Sequence, residues 1–141
     1  MITAYEYFDE GDERVRDPAT YLGTSPLSMV RQFAQAMGQA MNLPFMRGTN
    51  VDIMRMSLIE EEYLEVQEAG HADDMLKELA DLVYVTYGYA AQFGWDLDQA
   101  VRRVHASNMS KLGNDGKPIY REDGKVLKGP NYQKPDLSDL V

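Results

Sequence analysis

Val51-Asp52-Ile53-Met54-Arg55-Met56-Ser57-Leu58-Ile59-Glu60-Glu61-Glu62-Tyr63-Leu64-Glu65-Val66 is followed, after a further spacer, by Glu78-Leu79-Ala80-Asp81-Leu82-Val83-Tyr84-Val85. Val51, Met54 and Leu58 step by three and four, the period of a helix with one core-facing stripe. The same steps then reach Glu61 or Glu62, next Glu65, and finally Ala69. Acids thus stand where the pattern calls for leucine. At 100° per residue, Glu61 and Glu65 lie about 40° apart and Glu62 and Glu65 about 60°, so the three share one face. In the second stretch Glu78 and Asp81 form an i,i+3 pair. From Leu79 to Phe93 nearly every residue is apolar, which predicts a central, buried helix.

Outward from these two helices, the spacing predicts two more. Ser25 as N-cap and Pro26 at the first position open a helix running to about Met41, with Val30, Phe33, Ala34, Met37 and Met41 on one face. The acidic helix starts after Asn50 and ends at Gly70, read as a C′ glycine. The apolar helix runs from near Asp73 to Gly94. Asp96 and Gln99, in capping-box spacing, open a fourth helix that carries Leu97, Ala100, Val101 and Val104 and ends around Lys111–Gly113. Beyond Leu112, glycines and prolines break the helical period. Asp123-Gly124, between Ile119-Tyr120-Arg121 and Lys125-Val126-Leu127, predicts a small hairpin. The expected organisation is a polar, loosely ordered segment 1–20, a helical domain 21–112, and a tail 113–141 packing on that domain. The fold class is all-α: a bundle of about four main helices completed by dimerisation, because a lone copy would expose much of the apolar helix.

Composition narrows the chemistry. The chain has 141 residues, no cysteine, two histidines and a formal net charge of −9. Disulfides, thiolate metal sites and cysteine nucleophiles are excluded, and His71 and His105 alone cannot make a histidine-rich zinc site. The charge disfavours a nucleic-acid polymer or an anionic membrane as partner. The N-terminus has neither a basic nor an apolar leader region, and Leu82–Trp95 is too short and polar to span a bilayer, so a cytoplasmic protein is expected. Residues 51–81 hold ten acids against Arg55 and Lys77, nearly all of the net charge. Five of the acids, Glu61, Glu62, Glu65, Glu78 and Asp81, displace apolar residues. Such like charges need protons, bases or metal ions beside them. Hard divalent cations take oxygen ligands, so Mg²⁺, with Mn²⁺ as a second ion of the same class, fits the cluster. Glu60, Glu68, Asp73 and Asp74 read as a solvated face.

Glu62-x-x-Glu65 and Glu78-x-x-Asp81, with Leu58–Val66 and Glu78–Tyr84 around them, resemble the MazG-like all-α nucleoside triphosphate pyrophosphohydrolases. Their pattern is E-x-x-E, a variable spacer, then E-x-x-D. Val104-His105-Ala106-Ser107-Asn108-Met109-Ser110-Lys111 is similar to the N-x-x-K element of short MazG-like enzymes that include dUTP hydrolases. The resemblance covers about residues 26–136 and extends to phosphoribosyl-ATP pyrophosphohydrolase. It implies a bundle completed as a homodimer or dimer of dimers. The implied reaction is hydrolysis between the α- and β-phosphates of a nucleoside triphosphate, with deoxynucleotide house-cleaning first and phosphoribosyl-ATP as the alternative. It also implies that Glu61, Glu62, Glu65, Glu78 and Asp81 hold Mg²⁺, that Asn108 and Lys111 contact substrate, and that Phe33 lies near the base. A carboxylate not fully used by metal, Glu61 or Glu62, would orient or deprotonate the water. From spacing alone, Lys111 is an ordinary cation at a helix C-terminus, Asn108 a fraying residue and Phe33 a core residue. Two rivals remain. Glu68-x-x-His71 matches the di-iron motif once, but Gly70 interrupts it. An acidic interaction module would leave the acids at core positions unexplained.

Overall fold

The computed structural model describes residues 11–141. The expectation of a loose N-terminal segment lies partly outside them, in 1–10. Within the described part, Glu13–Arg16 and Pro18–Tyr21 are short 3-10 helices instead, started by the carboxylates of Asp12 and Asp17, which accept from the N–H groups of Arg14 and Ala19. The chain divides into two compact units, one ending at Trp95 and one spanning Asp96–Val141.

The first unit holds α1 (Pro26–Ala36), α2 (Asn50–Glu68) and α3 (Ala72–Gln92). Ser25 caps α1 as its sequence predicts, accepting from the Ser28 N–H. The helix ends short of Met41, because Gly38 takes φ +67° and lets the Gln39 N–H return to the Ala34 carbonyl at 2.8 Å. This is a Schellman ending, which only a residue free of a Cβ adopts cheaply. Gly94 ends α3 in the same way. Thr49 caps α2. Gly70 does stand just past that helix, but it is not left-handed; the extended backbone of Ala69 stops the helix.

The helix α3 packs against both α1 and α2. The core is Leu27, Val30 and Ala34 of α1 with Tyr87, Ala90, Ala91 and Phe93. Only the C-terminal half of α3 is buried as its composition predicts; Leu76, Leu79, Val83 and Tyr84 are exposed. The inward stripe of α2 also differs from the expected one. Asp52 and Arg55 are buried, while Ile53, Met54 and Met56 are exposed. Polar networks hold the two buried charges. Asp52 accepts from Arg47 at 2.8 Å, from the Gly48 N–H at 2.7 Å and from the Tyr89 hydroxyl at 2.7 Å. These donors hold its carboxyl below the usual carboxylate range. Arg55 donates from Nε to Gln92 and from Nη2 to Gln39 at 3.0 Å.

Gly88 explains how a guanidinium fits here. A glycine inside a helix costs about 1 kcal/mol relative to alanine, but a Cβ at this position would lie 2.8 Å from Arg55 Nη1. Gly88→Ala should therefore destabilise the protein by about 1–3 kcal/mol, as overpacking does. Urea unfolding checks this; a stability equal to or above wild type would show that the guanidinium yields freely.

The second unit holds α4 (Leu97–Met109) and the tail. Half of the predicted capping box forms: Asp96 accepts from the Gln99 N–H at 3.0 Å, but the Gln99 side chain turns instead to Arg102. The tail is tied to α4. Ser107 Oγ donates to the Gln133 carbonyl at 2.6 Å, and Arg103 grips Asp139 at 2.5 and 3.0 Å. The predicted hairpin is reduced to one antiparallel bridge, Tyr120 to Val126. Among the described residues no helix is long and apolar enough to cross a membrane.

Candidate active site

The short link from Ala69 to His71 folds α3 back along α2 and sets the two acidic pairs opposite each other. Glu62, Glu78 and Asp81 each bring one carboxylate oxygen within 4.8 Å of the others. The neighbouring Glu78 carboxyl first, then burial and the charge of Glu62, raises the Glu65 carboxyl above its usual range. Burial first, then Asp81, Glu78 and Glu61, raises Glu62. Lys77 reaches Asp81 Oδ2 at 3.0 Å and Glu78 Oε1 at 3.1 Å, and these partners push its ammonium pKa well up.

Glu62 Oε2 is buried and has no hydrogen-bond partner. A buried acceptor left unpaired is costly. Here it sits among other anionic oxygens and no nitrogen or sulfur ligands. That donor set fits a hard divalent cation.

Of the five acids expected around a metal, the structure gathers Glu62, Glu78 and Asp81, with Glu65 beside them, its carboxyl perturbed by Glu78 and Glu62. Glu61 is exposed on α2 and acts on Glu62 as a neighbouring charge. Phe33 is half exposed, with its ring edge-on to Tyr84 at 5.7 Å. Both line an apolar cleft of about 400 Å³ with Tyr21, Met29, Gln32 and Met37. Asn108 lies exposed in the last turn of α4, in the second unit, and Lys111 follows that turn with its carbonyl accepting from the Gly129 N–H at 2.9 Å.

The family model described as phosphoribosyl-ATP pyrophosphohydrolase matches residues 30–108, the stretch that contains both acidic pairs. The chain belongs to this family. It is thereby a MazG-like all-α pyrophosphohydrolase, a hydrolase. A search of curated proteins found no match. In this pyrophosphohydrolase, sequence reasoning named Lys77 and Arg55 together as the bases near the acids. Of these two, Lys77 pairs with Glu78 and Asp81, whereas Arg55 is turned to Gln39 and Gln92. The i,i+4 spacing of Lys77 and Asp81 was the available signal for that pairing.

The two raised carboxyls set a pH dependence. A carboxyl with a higher pKa when folded than when unfolded holds its proton more tightly in the folded state. It opposes folding above its folded pKa, and that opposition lifts as pH falls through that value. As pH falls from neutral, metal-free enzyme should therefore melt at a higher temperature, until below about pH 4 the lowered carboxyls such as Asp52 lose their contribution. Thermal melts in chelator check this, and a melting temperature that falls steadily over that interval would contradict the raised pair.

Proposed function

We propose that this protein is a Mg²⁺-dependent nucleoside triphosphate pyrophosphohydrolase that cleaves (d)NTP with water into (d)NMP and pyrophosphate, serving deoxynucleotide house-cleaning in the cytoplasm. The orphaned, buried Glu62 oxygen among the carboxylates of Glu78 and Asp81 carries the reading. Glu62, Glu78 and Asp81, with Glu65, would hold the cation. When bound, that ion offsets the charge of an anionic substrate and lowers the pKa of coordinated water.

The chain's own residues would do the rest. Water attacks the α-phosphorus, the bond from that phosphorus to the bridging oxygen breaks, and pyrophosphate leaves with the bridging oxygen. Glu61 or Glu62 takes the proton of the attacking water. Asn108 and Lys111, on the resemblance of their N-x-x-K element, would meet sugar and phosphate oxygens. Phe33, in its cleft with Tyr84, offers a flat apolar wall for a base. Glu61→Gln and Glu62→Gln separate the two carboxylates. A variant that loses kcat at least a hundredfold with Mn²⁺ affinity intact marks the base, and one that loses both marks a ligand.

Phosphoribosyl-ATP is the second reading, favoured by the description of the matching family. On the resemblance to short MazG-like enzymes, the tail beyond Lys111 and the Asn108–Lys111 element fit phosphoribosyl-ATP less well than a deoxynucleotide. A panel of the eight common NTPs and dNTPs plus phosphoribosyl-ATP, scored by pyrophosphate release with Mg²⁺, decides. A higher kcat/KM for a deoxypyrimidine triphosphate supports the first reading, and a clear preference for phosphoribosyl-ATP replaces it. No release from any of the substrates ends both. The exposed Leu76, Leu79 and Val83 support a homodimer, which light scattering at micromolar concentration tests; a stable monomer mass would refute it.

A further inference from the structure

We propose that Lys77 is a displaceable counter-ion. It neutralises Glu78 and Asp81 in the cation-free protein and is exchanged for the divalent cation when that ion binds. The inference rests on the divalent-cation reading of the cluster given above.

The geometry carries it. Lys77 Nζ lies 3.1 and 3.3 Å from the two Glu78 oxygens and 3.0 Å from Asp81 Oδ2. It does not satisfy Glu62, whose Oε2 stays unpaired in the same cluster. The lysine thus covers two of the three carboxylates that converge within 4.8 Å and leaves the buried Glu62 oxygen bare. A cation bound to all three would face the ammonium across the same oxygens. Like charges that close repel strongly, so the two cannot share Glu78 and Asp81.

Lys77 is also built to leave. Its side chain is 65% exposed, whereas that of Glu78 is 15% exposed. The lysine stands on the rim with a flexible stem, and the carboxylate cannot follow it. Lys77 precedes Asp81 by four residues, the weaker of the two orders for an i,i+4 ion pair. A long exposed side chain also loses rotamer freedom while it holds the pair. Exchange for a divalent ion releases that freedom. The freed ammonium remains tethered one turn before Asp81. There it is a mobile point charge beside the site, suited to phosphate oxygens. An anionic substrate that engages it favours the cation-loaded state, and by reciprocity the cation favours substrate.

Mn²⁺ binding without nucleotide, followed by the electron paramagnetic resonance signal of the free ion, tests the exchange. Lys77→Met should bind Mn²⁺ about twofold to fivefold more tightly than wild type, the scale set by loss of a partly exposed ion pair. Lys77→Arg, which can grip both carboxylates through a planar fork, should bind no more tightly than wild type. General electrostatics alone would also tighten Lys77→Met, so a second readout is needed. In wild type labelled at lysine Cε, the resonance absent from Lys77→Met should move toward the position of the exposed lysines as Mg²⁺ saturates. Equal or weaker Mn²⁺ binding by a folded Lys77→Met, or an unmoved Lys77 resonance at saturating Mg²⁺, overturns the exchange and leaves the cation site standing. Absence of Mn²⁺ binding in wild type overturns both.

Discussion

Glu62→Gln should lower kcat/KM by a thousandfold or more, about 4 kcal/mol of lost transition-state stabilisation, while the metal-free protein melts at a higher temperature than wild type. The two halves of this result have one cause. Glu62 brings a carboxylate into a cluster with Glu78 and Asp81, and one of its oxygens has no partner. In the absence of a cation that arrangement opposes folding, as the raised pKa of Glu62 records. A glutamine of the same shape removes one charge and adds an amide donor among acceptors. Removing a confined like charge relieves repulsion, so stability rises. The same change takes away a ligand and a potential base, so activity falls. Asp81→Asn should lose activity on the same scale with little change in melting, because Lys77 keeps Glu78 as a partner. Steady-state kinetics with Mg²⁺ and thermal melts in chelator are the measurements. Full activity in Glu62→Gln would remove the carboxylate cluster from the chemistry. A large loss of stability would instead mean that Glu62 is a structural acceptor.

The largest stability effect is expected at a residue outside that cluster. Arg55→Ala should destabilise the protein by about 3 kcal/mol, since it leaves the side-chain oxygen of the buried Gln92 without its donor and opens space beside Gly88. For a chain of this size that corresponds to a fall in melting temperature of roughly 10 °C. A double-mutant cycle makes the test specific. Gly88→Ala is costly in wild type because the new Cβ would meet Arg55 Nη1 at 2.8 Å. With Arg55 replaced by alanine the obstruction is gone. Gly88→Ala should then stabilise, by up to about 1 kcal/mol, through helix propensity alone. The sign of one substitution thus reverses with the identity of a residue on another helix. Equal effects of Gly88→Ala in both backgrounds would show that the guanidinium does not shape this position.

Local rules made the elements readable. Ser25-Pro26, and Asp96 with Gln99, are capping signals that act within one turn, and both open helices where the sequence places them. The acidic pairs were equally legible, because an acid at a leucine position breaks a pattern that only a site or a buried pair would tolerate. The end of α1 is set at Gly38, where a left-handed glycine outweighs the helical spacing of the apolar Met37 and Met41. The hairpin turn at Asp123-Gly124 was visible, but its flanking residues form only one bridge; two short runs with no apolar sheet to rest on do not extend a ladder.

By itself the sequence determined the all-α class, the order of the helices and the two acidic pairs, since periodicity, caps and spacing are properties of neighbours along the chain. The tertiary structure alone decided which face of α2 turns inward. A stripe of Val51, Met54 and Leu58 competes with Asp52 and Arg55. Arg47, Tyr89, Gln39 and Gln92, all distant in sequence or lying outside α2, make the polar face the buried one. The same rotation of α2 brings Glu62 against Glu78 and Asp81 and leaves Glu61 exposed. Two carboxylates adjacent in sequence thus acquire different environments, because a helix turns each residue about 100° from the last and only its neighbours fix which one looks inward.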